Sequence, residues 1–353
     1  TKEILEGEAN MQKIRAAIIG AGTYGSVHAR VFREMKYVDT VAICDVDKKK
    51  ANALATQYGI VNIYTNAEEM LQRTDCDFVS VTTPDYLHAA PVISAARARK
   101  NILVEKPFAT NKKDLLDMKE AIDKNNVRVM CDFHNRLSPP FSNAKNIINS
   151  GEIGNVQSMY IRLNDSKIIV TKALSWAAES SVLWFLGSHT LDAISYFCAS
   201  RPKTVYSLSK EGMLRSMGIN AIDMYQTSIE LENGCIAQME NGWVTPNGNT
   251  SNIDLKCTIL CDMGQININT SNSDMLQVFT ETRSNTPDCI ARPIIQDKIT
   301  GFVSNSIRSF VERLIDGRPF MISLQEAIDT SIALMAIMQS AKQKKVIEVN
   351  YDL

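Results

Sequence analysis

Gly20-Ala21-Gly22-Thr23-Tyr24-Gly25 forms a G-x-G-x-x-G loop. It follows the apolar run IRAAII and opens a helix-like stretch, and Asp45 lies twenty residues beyond Gly25 at the end of the next apolar run. Glycines at this spacing let the backbone turn tightly and approach a pyrophosphate. The helix N-terminus beyond them offers unpaired N–H groups, and an acid after the second strand accepts from ribose hydroxyls. A carboxylate there repels a 2′-phosphate, so NAD is expected over NADP, although Lys48, Lys49 and Lys50 weaken that preference. The loop alone is a weak signal; with strand, helix and acid in place it predicts a dinucleotide site.

Val104-Glu105-Lys106-Pro107-Phe108 closes another apolar run. Pro107 keeps Lys106 out of helical geometry at the strand end. Burial lowers a lysine pKa, and such a lysine can donate to, or share a proton with, a substrate hydroxyl. The alternative, a surface ion pair with Glu105, is less natural because strand neighbours point to opposite faces. The chain has four histidines, His28, His88, His134 and His189. A single histidine is more often structural than chemical. Ligands of open α/β sheets lie outside the carboxyl ends of the strands. His88 (in TTPDYLH) and His134 (in FHNR) follow strand ends and are expected near the crevice, with His189 (in GSHTLD) completing the site from a second domain. His28, three residues past Gly25, is expected to anchor the loop or its helix. No spaced His/Cys/carboxylate cluster suggests a metal.

These residues need a scaffold. From Ile14 to about Phe133, short β-branched runs (IRAAIIG, DTVAICD, DFVSVTT, NILVEK, VRVMCDF) alternate with helical stretches such as Glu68 to Arg73 and Pro91 to Lys100. That pattern predicts βαβ units with a parallel sheet. After Arg136, Ser138-Pro139-Pro140 breaks the pattern and a helix over Phe141 to Asn149 follows. Alternating runs with turn dipeptides then predict a largely antiparallel sheet, with a hairpin at Asn233-Gly234. Helices over Phe302 to Leu314 and Leu324 to Lys342 end the chain, the second opened by a Ser323/Glu326 capping box.

The bulk properties fit this scheme. A chain of 353 residues exceeds what one core usually serves. The expected division is 12–136 for dinucleotide binding and 137–353 for substrate binding and oligomerisation, with the last helices packing back on the first domain. The net charge of -1 argues against non-specific nucleic-acid binding. No apolar run approaches the roughly 20 residues of a membrane helix. The charged N-terminal stretch lacks the apolar core of a secretory signal, and Met11 is a candidate natural start. Eight cysteines without a C-x-x-C pair, several inside apolar runs, read as reduced, buried residues of a cytoplasmic protein.

Together these motifs resemble the Gfo/Idh/MocA family of NAD(P)-dependent sugar and inositol dehydrogenases. The marks are AIIGAGTYGSVHAR, CDVD, TTPDYLH, Glu105-Lys106-Pro107, FHNR, SGEIGNV, GSHTLD and the closing SLQEAIDTSIALMAIMQSAKQKKVI. The resemblance implies a Rossmann domain followed by an α/β domain whose large, mostly antiparallel open sheet supports a homodimer or homotetramer. It implies that Gly20, Gly22, Thr23, Tyr24 and Gly25 hold the pyrophosphate and Asp45 the ribose. Thr82, Thr83, Pro84, His88, Glu105, Lys106 and Asn135 would line the rest of the cofactor crevice. Lys106 and His189 would form the reaction centre, His189 as general base and Lys106 orienting the hydroxyl. His134, Arg136, Trp176, Trp184 and Asp192 are expected to line the substrate with them.

One position departs from the pattern. Many relatives carry Asp four residues before the histidine, where this chain has Phe185. Trp184 and Phe185 make the expected pocket wall more apolar, and Trp176 and Trp243 add aromatic surface, although each Trp is at least as well explained by core packing. The leading expectation is oxidation of a secondary ring hydroxyl of a sugar, glycoside or cyclitol, with some preference for the 3-hydroxyl of a glycoside-like sugar. The alternatives are a keto-sugar reductase, a redox-neutral enzyme with tightly held NAD, and a non-catalytic dinucleotide sensor.

Overall fold

A computed structural model describes residues 13–271, 275–282 and 284–353. Met11 and the expected first residue of domain one, 12, lie outside the described residues.

The first half of the chain forms a six-stranded parallel sheet in the order β3-β2-β1-β4-β5-β6. Its strands are β1 (Ile14–Ile19), β2 (Val38–Cys44), β3 (Asn62–Tyr64), β4 (Phe78–Val81), β5 (Asn101–Val104) and β6 (Val129–Cys131). The helices α1 (Thr23–Glu34), α2 (Lys48–Tyr58), α3 (Ala67–Arg73), α4 (Ala89–Arg97) and α5 (Lys112–Asn125) make the crossovers. The order turns back at β1, whose neighbours are β2 and β4, and this is where doubly wound sheets bind their ligands. β4 and the last three residues of β5 are fully buried, which explains their continuous apolar runs. The short β3 was not among the strand-like runs in the sequence: two of its three residues are exposed at the sheet edge. Helix starts follow local chemistry. The side chains of Asp47, Asn66 and Asn111 accept main-chain N–H bonds at the starts of α2, α3 and α5.

The loop His134–Leu137 and α6 (Pro139–Ser150) lead into a seven-stranded sheet. β7 (Val156–Ser166), β8 (Pro202–Lys210), β9 (Met224–Leu231), β10 (Ile236–Thr245), β11 (Ile253–Cys261) and β12 (Gln265–Asn269) are completed by Ile347–Glu348 on the β8 edge. Pairing is antiparallel except between β7 and β10, and β9 and β10 form the expected hairpin through Asn233-Gly234. One face of this sheet carries α7 (Ser188–Cys198) and a second core containing Met159, Ile161, Leu163 and Trp243. The other face presents Tyr160, Tyr206, Ile236 and Leu260, all exposed.

After the four-residue helix α8 (Met213–Ser216), the chain ends in α9 (Gly301–Ile315) and α10 (Leu324–Gln343). α9 joins the first core: Phe310 packs edge-on to Phe78, which meets Phe32 in the same way, each pair with ring centroids 5.4 Å apart. Such pairs add about 1 kcal/mol each beyond their area. α10 opens with the Ser323/Glu326 capping box and belongs to both cores, Ala327 and Ile328 in the first and Leu334 and Ile337 in the second.

Candidate active site

The glycine loop has the shape its sequence demands. Gly20 has φ +109°, and a Cβ there would stand 2.7 Å from the Thr82 main chain. A Cβ on Gly25 would stand 2.0 Å from the Gly20 oxygen, so only hydrogen fits beneath the turn. Gly22 differs: a Cβ there would meet nothing within 4 Å. It caps α1, no side chain caps that helix start, and the first turn holds no acid. The free N–H groups of the first turn therefore face open space beside the exposed Gly22 and Thr23, a fit for a pyrophosphate. Asp45 accepts from Ala21 N–H at 2.6 Å and Asp47 N–H at 2.8 Å. These bonds lock the carboxylate against the loop, where a ribose would lie. Thr82 donates its hydroxyl to the Gly20 oxygen at 2.8 Å and braces the same turn. Thr83, Pro84 and Asn135 are half-buried around the strand ends.

His88 is a brace below the crevice. It is 1% exposed, with Nδ1 2.8 Å from the Pro107 oxygen and Nε2 3.1 Å from the Thr83 oxygen, so it ties two strand-end loops together. His28, expected to anchor the loop or its helix, is likewise internal and reaches β4 and the end of β5 instead. Its Nε2 meets Glu105 at 3.1 Å and its Nδ1 meets the Ser80 hydroxyl at 2.7 Å. His28, Glu105 and Asp132 offer ligand atoms within 4.8 Å of one another. His28 and Glu105 are bonded to each other and Asp132 accepts from the Ser306 hydroxyl, which makes the group a buried network beneath Lys106.

Lys106 leaves the end of β5 through a cis bond to Pro107 and reaches the second domain. Its Nζ donates to the Phe185 main-chain oxygen at 2.8 Å and lies 4.2 Å from the centre of the Phe185 ring. A wide, π-type turn, Leu183–Gly187, runs into α7 and presents that oxygen. Burial lowers the Lys106 pKa, against the opposing charges of Glu105, Asp85 and Asp165. His189 sits in the first turn of α7, 9% exposed, and its Nδ1 has no hydrogen-bond partner among the described residues. Burial, and then the neighbouring Lys106 and His134, hold its pKa well below the usual value, so it stands neutral. The His134 ring lies 5.0 Å from that of His189 and stacks with Tyr24 of the glycine loop at 6.3 Å. Lys106, His134, His189 and Tyr24 thus gather around the glycine loop, the ends of β5 and β6 and the start of α7.

Other expected residues are placed differently. Arg136 and Asp192 pair with each other, buried, with contacts of 2.6 to 3.2 Å, and Arg136 also meets Glu326 at 2.7 Å. Trp184 packs in the second core. Trp176 is half-buried and belongs to an aromatic row, Tyr86–Trp176–Phe185–Trp243, with successive centroids 6.3, 6.0 and 6.1 Å apart.

Sequence reasoning missed Asp165, Asp85 and Phe302. Asp85 accepts the Ser180 hydroxyl across the domains, and the Phe302 ring lies 5.7 Å from His134. Asp165 is the penultimate residue of β7, 4% exposed, and burial, opposed by Lys106, pushes its pKa up to about 7. One signal was available: Asp165 has the same parity as Met159, Ile161 and Leu163, so an acid continues an apolar face.

Known proteins agree with this architecture. Residues 14–133 match the oxidoreductase family with an NAD-binding Rossmann fold, and residues 141–267 match the GFO/IDH/MocA C-terminal domain. The levoglucosan dehydrogenase of Pseudarthrobacter phenanthrenivorans is 26% identical over 301 residues, 76% of each chain. The inositol 2-dehydrogenase of Salmonella typhimurium is 33% identical over 144 residues, 40% of this chain and 43% of that one. The crystal structure of myo-inositol 2-dehydrogenase from Lactobacillus plantarum superposes with a TM-score of 0.82 at 22% identity, over 96% of this chain and 100% of that chain. That of scyllo-inositol dehydrogenase from Lactobacillus casei, with bound NAD(H) and scyllo-inositol, gives 0.81 at 17% identity, over 96% and 99%. With its NAD-binding Rossmann domain and its mixed second sheet, the chain belongs to the Gfo/Idh/MocA family of oxidoreductases.

Proposed function

We propose that the protein is an NAD-dependent dehydrogenase of a secondary ring hydroxyl in a sugar, glycoside or cyclitol, with Lys106 and His189 at the reaction centre. The observation that carries this reading is the convergence of a buried lysine and a neutral histidine with an unpartnered nitrogen, beside the glycine loop. Gly22, Thr23, Tyr24 and Asp45 would hold NAD, which when bound accepts the hydride from the alcohol carbon. His189 takes the hydroxyl proton. Lys106 donates to the same oxygen and stabilises its developing negative charge. Burial of both groups keeps water from competing for these bonds.

The aromatic row that runs through Phe185 gives the substrate an apolar wall. It favours a ring with a hydrophobic face or aglycone, and with it the 3-hydroxyl of a glycoside-like sugar. The exposed Tyr160, Tyr206, Ile236 and Leu260 on the open sheet face favour a homo-oligomer, and cysteines without disulfides fit a cytoplasmic protein.

The test is absorbance at 340 nm with NAD and with NADP across inositols, free sugars, levoglucosan, sugar nucleotides and aryl glycosides. NADH formed from one substrate group, faster than NADPH, is the expected result. Silence across the panel, with NAD released from the purified protein on denaturation, would move the reading to a redox-neutral enzyme or a sensor.

A further inference from the structure

Asp132 Oδ2, His134 Nδ1 and His189 Nδ1 are each buried without a hydrogen-bond partner among the described residues. They do not lie apart. Asp132 Oδ2 stands 3.9 Å from His134 Nδ1, and the His134 and His189 ring centroids are 5.0 Å apart, with the rings tilted by 50°. Buried polar atoms are seldom left unpaired, because each costs about 1–3 kcal/mol. Here three follow one another from the end of β6 to the start of α7.

The groups are well anchored. Asp132 is fully buried, and its other oxygen accepts the Ser306 hydroxyl from α9. Burial works against its charge, but His134, His28 and Ser306 outweigh it and hold its pKa below the usual value, so it stands as a carboxylate. The His134 ring is flanked by the rings of Tyr24 and Phe302. A separation of 3.9 Å is too long for a hydrogen bond. Hydrogen bonds of catalytic groups are often long before the substrate binds and tighten in the complex.

We propose that Asp132 and His134 form a proton relay behind His189: Asp132 holds His134 with Nδ1–H toward Oδ2, and His134 Nε2 takes the proton that leaves His189 Nδ1. The proposal rests on the reading of His189 as the general base. In that reading the alcohol proton arrives at His189 Nε2. The Nδ1–H of His189, buried without an acceptor in the absence of the relay, passes its proton to His134 Nε2. One proton enters His189 and one leaves, no other bond changes, and His189 is neutral again for the next turnover. The imidazolium formed on His134 is stabilised by the Asp132 carboxylate. Asp132 is thus a positioning residue that acts through His134. The other titratable or charged groups around the pair are His28 and Tyr24 on α1, Glu105 and Lys106 after β5, Cys131 on β6, His189 on α7 and, beyond Tyr24, Arg292.

The test has two arms, both on the full chain. The first compares wild type, Asp132→Asn and His134→Gln on the best substrate of the panel. His134→Gln leaves Asp132 and its Ser306 bond in place, and it serves if the Asn variant is not recovered folded. The first turnover needs only a neutral His189, whereas every later one needs His189 discharged. Each variant is therefore expected to form the first NADH per site within about threefold of the wild-type rate and then to run at a steady-state kcat lowered on the order of tenfold or more. KM falls with kcat, because the slowed step lies after the chemistry. The second arm needs no substrate. In protein labelled with 15N-histidine, NMR reads which nitrogen of His134 carries the proton, its signals assigned by their loss in His134→Gln. Wild type should hold the proton at Nδ1, and Asp132→Asn should lose that preference.

First-turnover and steady-state rates that fall by the same factor overturn the relay, and so does a kcat indistinguishable from that of wild type. If His189→Ala turns over as fast as wild type, the base reading has failed and the relay fails with it. A wild type silent on the whole panel is a failure of the dehydrogenase reading, and the tautomer then decides: a neutral His134 protonated at Nε2 overturns the Asp132 pairing, and one protonated at Nδ1 supports it.

Discussion

Lys106 and Phe185 join the two domains: the Phe185 oxygen takes the lysine N–H at 2.8 Å, and its ring faces the same nitrogen at 4.2 Å. One residue of the second domain thus supplies both contacts of a lysine from the first. The ring offers a cation an attractive face, although it supplies no charge. The aim of Lys106 therefore depends on how the two domains sit together, and its charge depends on carboxylates further off.

The glycine loop separates folding from binding. Gly25→Ala forces a Cβ against the Gly20 oxygen and should cost about 3 kcal/mol or more. Gly22→Ala meets open space, so thermal unfolding should move little while NAD affinity falls at least about tenfold. Calorimetry and fluorescence titration check the pair. Equal loss of stability in both variants would contradict this account of the loop.

Asp45 should set cofactor choice. Hydrogen bonds to a charged group are worth about 1.5–3 kcal/mol, so Asp45→Ala is expected to weaken NAD on the order of tenfold or more. NADP should lose less, because the variant also removes a charge that repels the 2′-phosphate. An unchanged ratio of the two dissociation constants would remove Asp45 from the ribose.

Arg136 was expected at the substrate, and the structure places it in a buried pair with Asp192 and in contact with Glu326 of α10. Arg136→Met leaves Asp192 as an unpaired buried charge, at a cost of about 3–5 kcal/mol. Denaturant unfolding should show that loss. A stable variant with a raised KM would instead return Arg136 to the substrate.

Asp165 gives stability a particular pH dependence. Burial pushes its folded pKa up to about 7, well above the usual carboxylate value, so the native state binds the proton more tightly than the unfolded chain. Its contribution is fully favourable below the lower value, declines as pH rises between the two, and is lost above about 7. Asp165→Asn should flatten the fall in unfolding temperature over that window and raise it at pH 8. A wild-type curve that does not differ from that of the variant would mean that the carboxylate titrates normally.

Much of this was legible in the residue pattern, for reasons that differ by element. The strands of the first sheet other than β3 announced themselves because the greater part of each is buried and runs apolar, as in the last four residues of β1 and the last three of β2. β3 did not, having two of its three residues in solvent. Gly20, Gly25 and Asp45 could be read because backbone geometry restricts those positions to few residue types. Lys106 and His189 could be read from their neighbours in sequence. Asp85 and Phe302 could not be assigned because they are placed by tertiary contacts, and Asp165 was marked only by its parity with the apolar face of β7. Phe302 comes from α9, which folds back across the first sheet late in the chain, and no local motif marks it. Trp184 and Trp243 show the reverse: aromatic residues near the motif pack in the second core.

The central claim is that Lys106 and His189 together perform the alcohol chemistry. Its most direct test is the single-turnover rate of NADH formation for wild type, Lys106→Ala and His189→Ala, with NAD affinity measured on each. The account predicts that each variant slows the step on the order of 1,000-fold while binding NAD nearly as tightly as wild type. A rate within tenfold of wild type in either variant, or NAD binding lost together with turnover, would contradict it.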